Sequence, residues 1–169
     1  MNDLQTFLHE FGANPAYRHL LLNHLPIIGL AAGALALFFA LFLGRGARIA
    51  ALLVVLLMAG SIFPVYETGE EAYKPIRRIA DDAGVDWLDA HMDRADAGVR
   101  YYYALAGLAL VALVLPVKWP RTGVPLAALT VAGAVFCVGV GGWIAQAGGP
   151  IRHDELRPAP ATDDAVMPP

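Results

Sequence analysis

His24 sits about one turn inside residues 20–44, a stretch with no Asp, Glu, Lys or Arg. An imidazole buried at a membrane edge costs free energy unless it is hydrogen-bonded or ligated. His19, His91 and His153 fall at the same end of the chain's helices once the apolar segments are drawn as spans. Histidines converging from separate helices are the residue type and arrangement of a metal or haem site. His19 and His24, five residues apart, point about 140° away from each other around a helix. One straight helix therefore cannot readily offer both to the same metal. Pro26 removes the hydrogen bond to the Leu22 carbonyl and allows a kink beside His24.

His91 precedes the third apolar segment and shares a helix face with Trp87 and Arg94, at spacing i, i+4, i+7 from Trp87. Two neutral imidazoles from different helices are the usual axial pair of a low-spin b-type haem, which needs no Cys-based attachment. His24 and His91 are the expected ligands, with His19 and His153 as spare ligands or hydrogen-bond partners. There is no Cys-x-x-Cys-His, so a covalently attached haem is excluded. A non-haem alternative joins His24, His91 and Glu70 or Glu71 around copper, iron or zinc, since Glu67, Glu70 and Glu71 share one helix face. Those carboxylates also have a plainer use, as partners of Arg77, Arg78 or Arg152. The plainer roles of the histidines are a loop-bonded His24 and a solvated His91, and His9 is given no role.

A membrane bundle has to position these groups. The chain is 169 residues long, 57% hydrophobic and only 16% charged, with a mean hydropathy of +0.53. Soluble domains are nearer a quarter charged. The net charge of −3 gives no reason to expect nucleic acid, and the single cysteine, Cys137, allows neither an internal disulfide nor a cysteine-based zinc or iron–sulphur centre. Nothing at the start reads as a cleaved signal peptide. Four segments reach spanning length: residues 20–44, 49–66, 101–117 and 124–147. Asn14-Pro15 is an N-cap followed by proline at the first helical position, so the first helix starts ahead of the membrane.

Charge orients the bundle. The two short loops carry Arg45, Arg48, Lys118 and Arg121 and no acid, whereas all 15 acids lie on the other side. The positive-inside rule places the short loops in the cytoplasm and both termini outside, in the periplasm of a bacterium. The periplasmic loop 67–100 reads as helical, with helix-compatible stretches 70–82 and 86–96 separated at Ala83-Gly84. Residues 86–115 are able to form one continuous helix. Residues 158–169 have the composition of a disordered tail. The expected fold is all-α: one domain, residues 1–157, forming a transmembrane four-helix bundle with a helical periplasmic cap. No internal repeat is visible. Gly29 and Gly33, and the cluster Gly139, Gly141 and Gly142, suit tight helix packing or room for a porphyrin edge. Tyr101, Tyr102, Tyr103, Trp119 and Trp143 suit interfacial belts.

The segment His19-Leu20-Leu21-Leu22-Asn23-His24-Leu25-Pro26 resembles an uncharacterised family of bacterial four-span membrane proteins that opens its first span with His-x4-His-x-Pro. Thr68-Gly69, His91 and Gly148-Gly149 match further short motifs of that family, and the resemblance covers about residues 19–153. It implies a haem-binding or redox membrane protein; some members are fused to a Rieske domain, which this chain lacks, and Leu25 stands where an aromatic is common.

Together these features set the expectation of a b-type cytochrome-like electron carrier or redox subunit, rather than a stand-alone enzyme, in a bacterial inner membrane. The expected cofactor is haem b, and the alternative a bound copper, iron or zinc. The expected partners are the lipid bilayer, a periplasmic redox protein such as a cytochrome c or a Rieske protein, and quinol as a donor. A cofactor-free accessory subunit of a respiratory complex is the remaining alternative.

Overall fold

The computed structural model describes residues 2–158. The tail expected to be disordered lies, Pro158 apart, outside the described residues. A short helix, α1 (Asp3–Ala13), opens on a capping box in which the Asn2 side chain accepts from the Gln5 N–H at 2.8 Å and Gln5 Oε1 accepts from the Asn2 N–H at 3.2 Å. Asn14 then breaks the chain and caps the next helix, accepting from the Tyr17 N–H at 3.2 Å with Pro15 behind it.

Four helices of membrane length follow: α2 (Pro15–Leu43), α3 (Arg45–Arg77), α4 (Asp82–Lys118) and α5 (Pro120–Ile151). The chain is a multi-span helical membrane protein. Each helix outruns its apolar segment at the end that carries the acids, called here the acidic end; the short turns with Arg45, Arg48, Lys118 and Arg121 form the basic end. Gly44 makes the first basic turn at φ 115°, the only positive φ among the described residues and one that a side chain would resist. In α2, Pro26 has no N–H for the Leu22 carbonyl, and the ladder slips into a π-turn over Leu25–Gly29.

The long loop differs from expectation in two ways. The break falls between Arg77 and Asp82, not at Ala83-Gly84, because Asp81 caps α4 by accepting from the Gly84 N–H at 2.9 Å. Gly84 is buried in the first turn of α4, where a Cβ would meet the Asp81 carboxylate and the Ile151 carbonyl. Nor is a separate cap distinguished: its residues continue α3 and α4 beyond the bilayer-length segments, and α4 alone runs for 37 residues.

Packing divides the bundle across its width. The basic half is solid, built from Leu30, Leu37, Val55, Ala59, Leu105, Ala109 and Ala134. Small residues bring the helices close there: a Cβ on Gly29 would strike Met58, and one on Gly33 would press on Val54 and Val55. These glycines pack α2 on α3. Phe38, Phe39 and Phe42 project outward, as side chains facing lipid do. In the acidic half the core gives way to a cavity whose floor is formed by Ile62 and Tyr102, residues that also belong to the core.

Candidate functional site

The cavity has a volume of about 700 Å³, within the roughly 300–1,000 Å³ of small-molecule sites. His19 and His91 stand on its walls, one from each helical hairpin. Their ring centroids are 6.2 Å apart and their planes are inclined at 89°.

Each ring is held in the same way. Nδ1 of His19 lies 2.9 Å from the Val65 carbonyl oxygen, and Nδ1 of His91 lies 3.0 Å from the Ile144 carbonyl oxygen. A carbonyl only accepts, so Nδ1 is the protonated nitrogen and donates in both residues; Nε2 keeps its lone pair. Four residues after each accepting carbonyl stands a glycine on which the ring lies. A Cβ on Gly69 would be 3.1 Å from Nδ1 and Cε1 of His19, and one on Gly148 would be 3.3 Å from the same atoms of His91. The α2–α3 and α4–α5 hairpins thus build one device twice, although no repeat is visible in the sequence.

The separation fits two accounts, a shared metal and direct ring contact. A metal–imidazole bond is about 2.0–2.1 Å. The centre of a five-membered ring lies about 1.1 Å from its nitrogen, so two imidazoles trans on one metal have centroids roughly 6.3 Å apart. Direct contact is the other account of 6.2 Å. No hydrogen bond joins the rings, however, and with both Nδ1 atoms protonated neither Nε2 carries a proton to share.

The other expected ligands do not join this pair. His24 is exposed, does not line the cavity, and bonds through Nδ1 to the Leu20 carbonyl of its own helix at 3.0 Å. His153 lines the cavity mouth, exposed and 3.0 Å from Glu155. Glu71 pairs with Arg18 at 2.6 Å, not with the arginines expected for it, and Glu67 and Glu70 are exposed. Among the described residues no group of three or more His, Cys, Asp or Glu is placed to hold a metal ion. A closed protein site for zinc or copper needs three or four such ligands. A haem supplies four nitrogens of its own and asks the protein for two.

The seams of the cavity are unequal. Between α3 and α4 it is laced shut: Tyr66 donates to Asp96 at 2.7 Å, and Tyr73 donates to Asp89 at 2.6 Å, with Arg77 donating to the same carboxylate. Between α4 and α5, Arg94 donates to the Trp143 carbonyl at 2.7 Å beside the His91 bond. At the mouth Arg157 clasps Asp81 through two bonds of 2.7 and 2.9 Å and also donates to the Pro150 carbonyl. That guanidinium, helped by the Gly84 N–H, brings the Asp81 carboxyl down to about 2. The seam between α2 and α5 differs. The two helices meet in the basic half, but residues Pro15–Leu22 pack on α3 and stand away from α4 and α5.

Sequence reasoning left out the two backbone carbonyls and did not join the two glycines to the histidines. One signal could have preferred His19 to His24: Pro26, which is buried, follows His19 by seven residues and so shares its face. No protein-family model, curated protein or solved structure matches this chain. The chemistry of the cavity has to be read from its own residues.

Proposed function

We propose that this chain is a membrane b-type cytochrome-like electron carrier in which His19 and His91 are the two axial ligands of one haem b, held between the two hairpins. The observation that carries this reading is the paired geometry: two neutral rings 6.2 Å apart, each with Nδ1 occupied and Nε2 free. It revises the expected pair, His24 and His91, by one ligand.

The hydrogen bond on each Nδ1 fixes ring orientation and raises the basicity of Nε2, as outer partners of metal-bound histidines do. A haem held there would present its charged propionates to Arg152 and His153, which line the cavity mouth. With His19 and His91 both holding the iron, the group would supply one-electron transfer. By the positive-inside rule the acidic end faces the periplasm of a bacterial inner membrane. Its exposed Asp82, Asp86 and Asp93 favour a basic one-electron acceptor, such as a cytochrome c or a Rieske protein, through electrostatic steering.

The test is the visible spectrum of the detergent-purified protein, made with ample haem supply and recorded oxidised and dithionite-reduced. A Soret band with sharp α and β bands on reduction is expected, lost in His19→Ala and His91→Ala and kept in His24→Ala. A colourless wild-type protein sinks the reading; bound copper, iron or zinc in that sample supports a non-haem site, and no metal an accessory subunit.

A further inference from the structure

The basic end of the bundle carries a second concavity, which shares no lining residue with the histidine cavity. It is a shallow groove of about 50 Å³ where α3, α4 and the start of α5 meet. Sites that enclose a small molecule measure roughly 300–1,000 Å³. A ligand here therefore lies along the groove and is not enclosed by it.

One face of α3 runs the length of the groove: Arg45, Arg48, Ile49 and Leu52, spaced i, i+3, i+4, i+7. Pro116 and Leu113 of α4 form the opposite wall. Polarity is graded along the groove. Two arginines stand at the bilayer edge, and about 10 Å deeper, at seven residues of helical rise, the walls are Leu52 and Leu113. The arginines have no anionic partner. Every Asp and Glu among the described residues lies toward the acidic end, and none of the ion pairs formed there includes Arg45 or Arg48. Arg48, partly buried, reaches the Leu41 carbonyl at 3.5 Å, and the Arg45 side chain makes no hydrogen bond among the described residues. The first turn of α3 holds no acid and no side-chain cap, so the partial positive charge of the helix end adds to theirs.

We propose that this groove binds one anionic glycerophospholipid of the leaflet at the basic end. Its phosphodiester sits on Arg45 and Arg48, and one acyl chain lies along Ile49, Leu52 and Leu113. Guanidinium groups pair with phosphate oxygens through parallel N–H···O bonds. The apolar depth of the groove favours a lipid over a free phosphate ion, which gains nothing from it. By the positive-inside rule that leaflet is the cytoplasmic one, where anionic headgroups gather at basic pockets between spans. Nothing in this reading depends on what His19 and His91 hold.

The test is native mass spectrometry of the whole protein, released from micelles holding equal amounts of dioleoyl-phosphatidylglycerol and dioleoyl-phosphatidylcholine. Wild type should retain one phosphatidylglycerol per chain, preferred about tenfold over phosphatidylcholine, the scale of one charge-assisted hydrogen bond. Arg45→Gln and Arg48→Gln should each lower that preference, and the double variant should remove it. Arg121→Gln, at the same end but not lining the groove, should leave it unchanged. Both groove arginines also help to orient the chain, so Arg48→Lys serves as a second variant. It keeps the charge, gives up the fork, and should lower the preference about threefold. Excess glycerol 3-phosphate should not displace the lipid. Equal retention of the two lipids by wild type overturns the proposal. So does an Arg121→Gln effect as large as that of Arg48→Gln, which would mark diffuse surface charge. Displacement by glycerol 3-phosphate overturns it too, since the groove would then be a site for a free phosphate.

Discussion

Gly69 is the surface on which His19 rests: a Cβ there would stand 3.1 Å from Nδ1 and Cε1 of the ring, which reaches the Val65 carbonyl at 2.9 Å. A glycine one helical turn past the accepting carbonyl lets a neighbouring helix place a ring flush against the backbone. Gly148 serves His91 and the Ile144 carbonyl in the same way with slightly more room.

Gly69→Ala should therefore displace His19 and cost haem occupancy. Gly148→Ala should be milder, because the 3.3 Å contact at His91 needs less movement than the 3.1 Å contact at His19. The haem-to-protein ratio of the two variants gives the order. Equal occupancy in Gly69→Ala and wild type would show that the ring does not depend on this contact.

His19→Ala removes a proposed ligand and also a donor to a partly buried carbonyl. Because Thr68 still donates to the same carbonyl at 3.1 Å, its loss should cost about 0.5–1.5 kcal/mol of stability even in haem-free protein. His24→Ala, which takes away only an exposed bond to its own helix, should stay within about 0.5 kcal/mol of wild type. Thermal unfolding of apoprotein separates this structural contribution from ligation.

The Asp81–Arg157 clasp ties the start of α4 to the chain beyond α5 and sets an acid limit. Asp81 is brought down from 3.8 to about 2, first by the Arg157 hydrogen bonds. The unfolded state thus binds this proton more readily than the folded one. The stabilisation is complete above the unfolded value and fades as pH falls from about 4 toward 2. Asp81→Asn keeps an N-capping side chain but loses the charge, so its melting temperature should drop less than that of Asp81→Ala at pH 7. Both variants should lose this share of the acid dependence. A melting curve of Asp81→Asn that falls with acid as steeply as wild type would rule the clasp out as its source.

Glycines in one helix should respond unequally. A Cβ on Gly141 would meet the Tyr102 hydroxyl at 2.5 Å and Ile27 at 3.2 Å, whereas Gly139 and Gly142 face open space. Gly141→Ala should destabilise by about 1–3 kcal/mol through overpacking at the cavity floor. Gly139→Ala and Gly142→Ala, inside the same helix with open space, should be neutral or stabilising by up to about 1 kcal/mol. Denaturant unfolding in one detergent gives all three values.

By itself the sequence determined the four spans, the separation of an acidic from a basic end, the Asn14 cap, and His91 as a residue of interest. These follow from local physics: hydropathy sets whether a stretch can cross a bilayer, and a cap needs only its own next turn. Tertiary structure decided which histidine faces the slot. Gly29 and Gly33 seat α2 on Met58, Val54 and Val55, and beyond the π-turn His19 faces the cavity while His24 does not. It also chose the acceptors. The Val65 and Ile144 carbonyls belong to backbone that every residue possesses, so no residue type marks them, and only the approach of a glycine-faced helix makes them available. Arg18 finding Glu71, and Tyr66 and Tyr73 finding Asp96 and Asp89, are likewise matters of helix register, which composition does not carry.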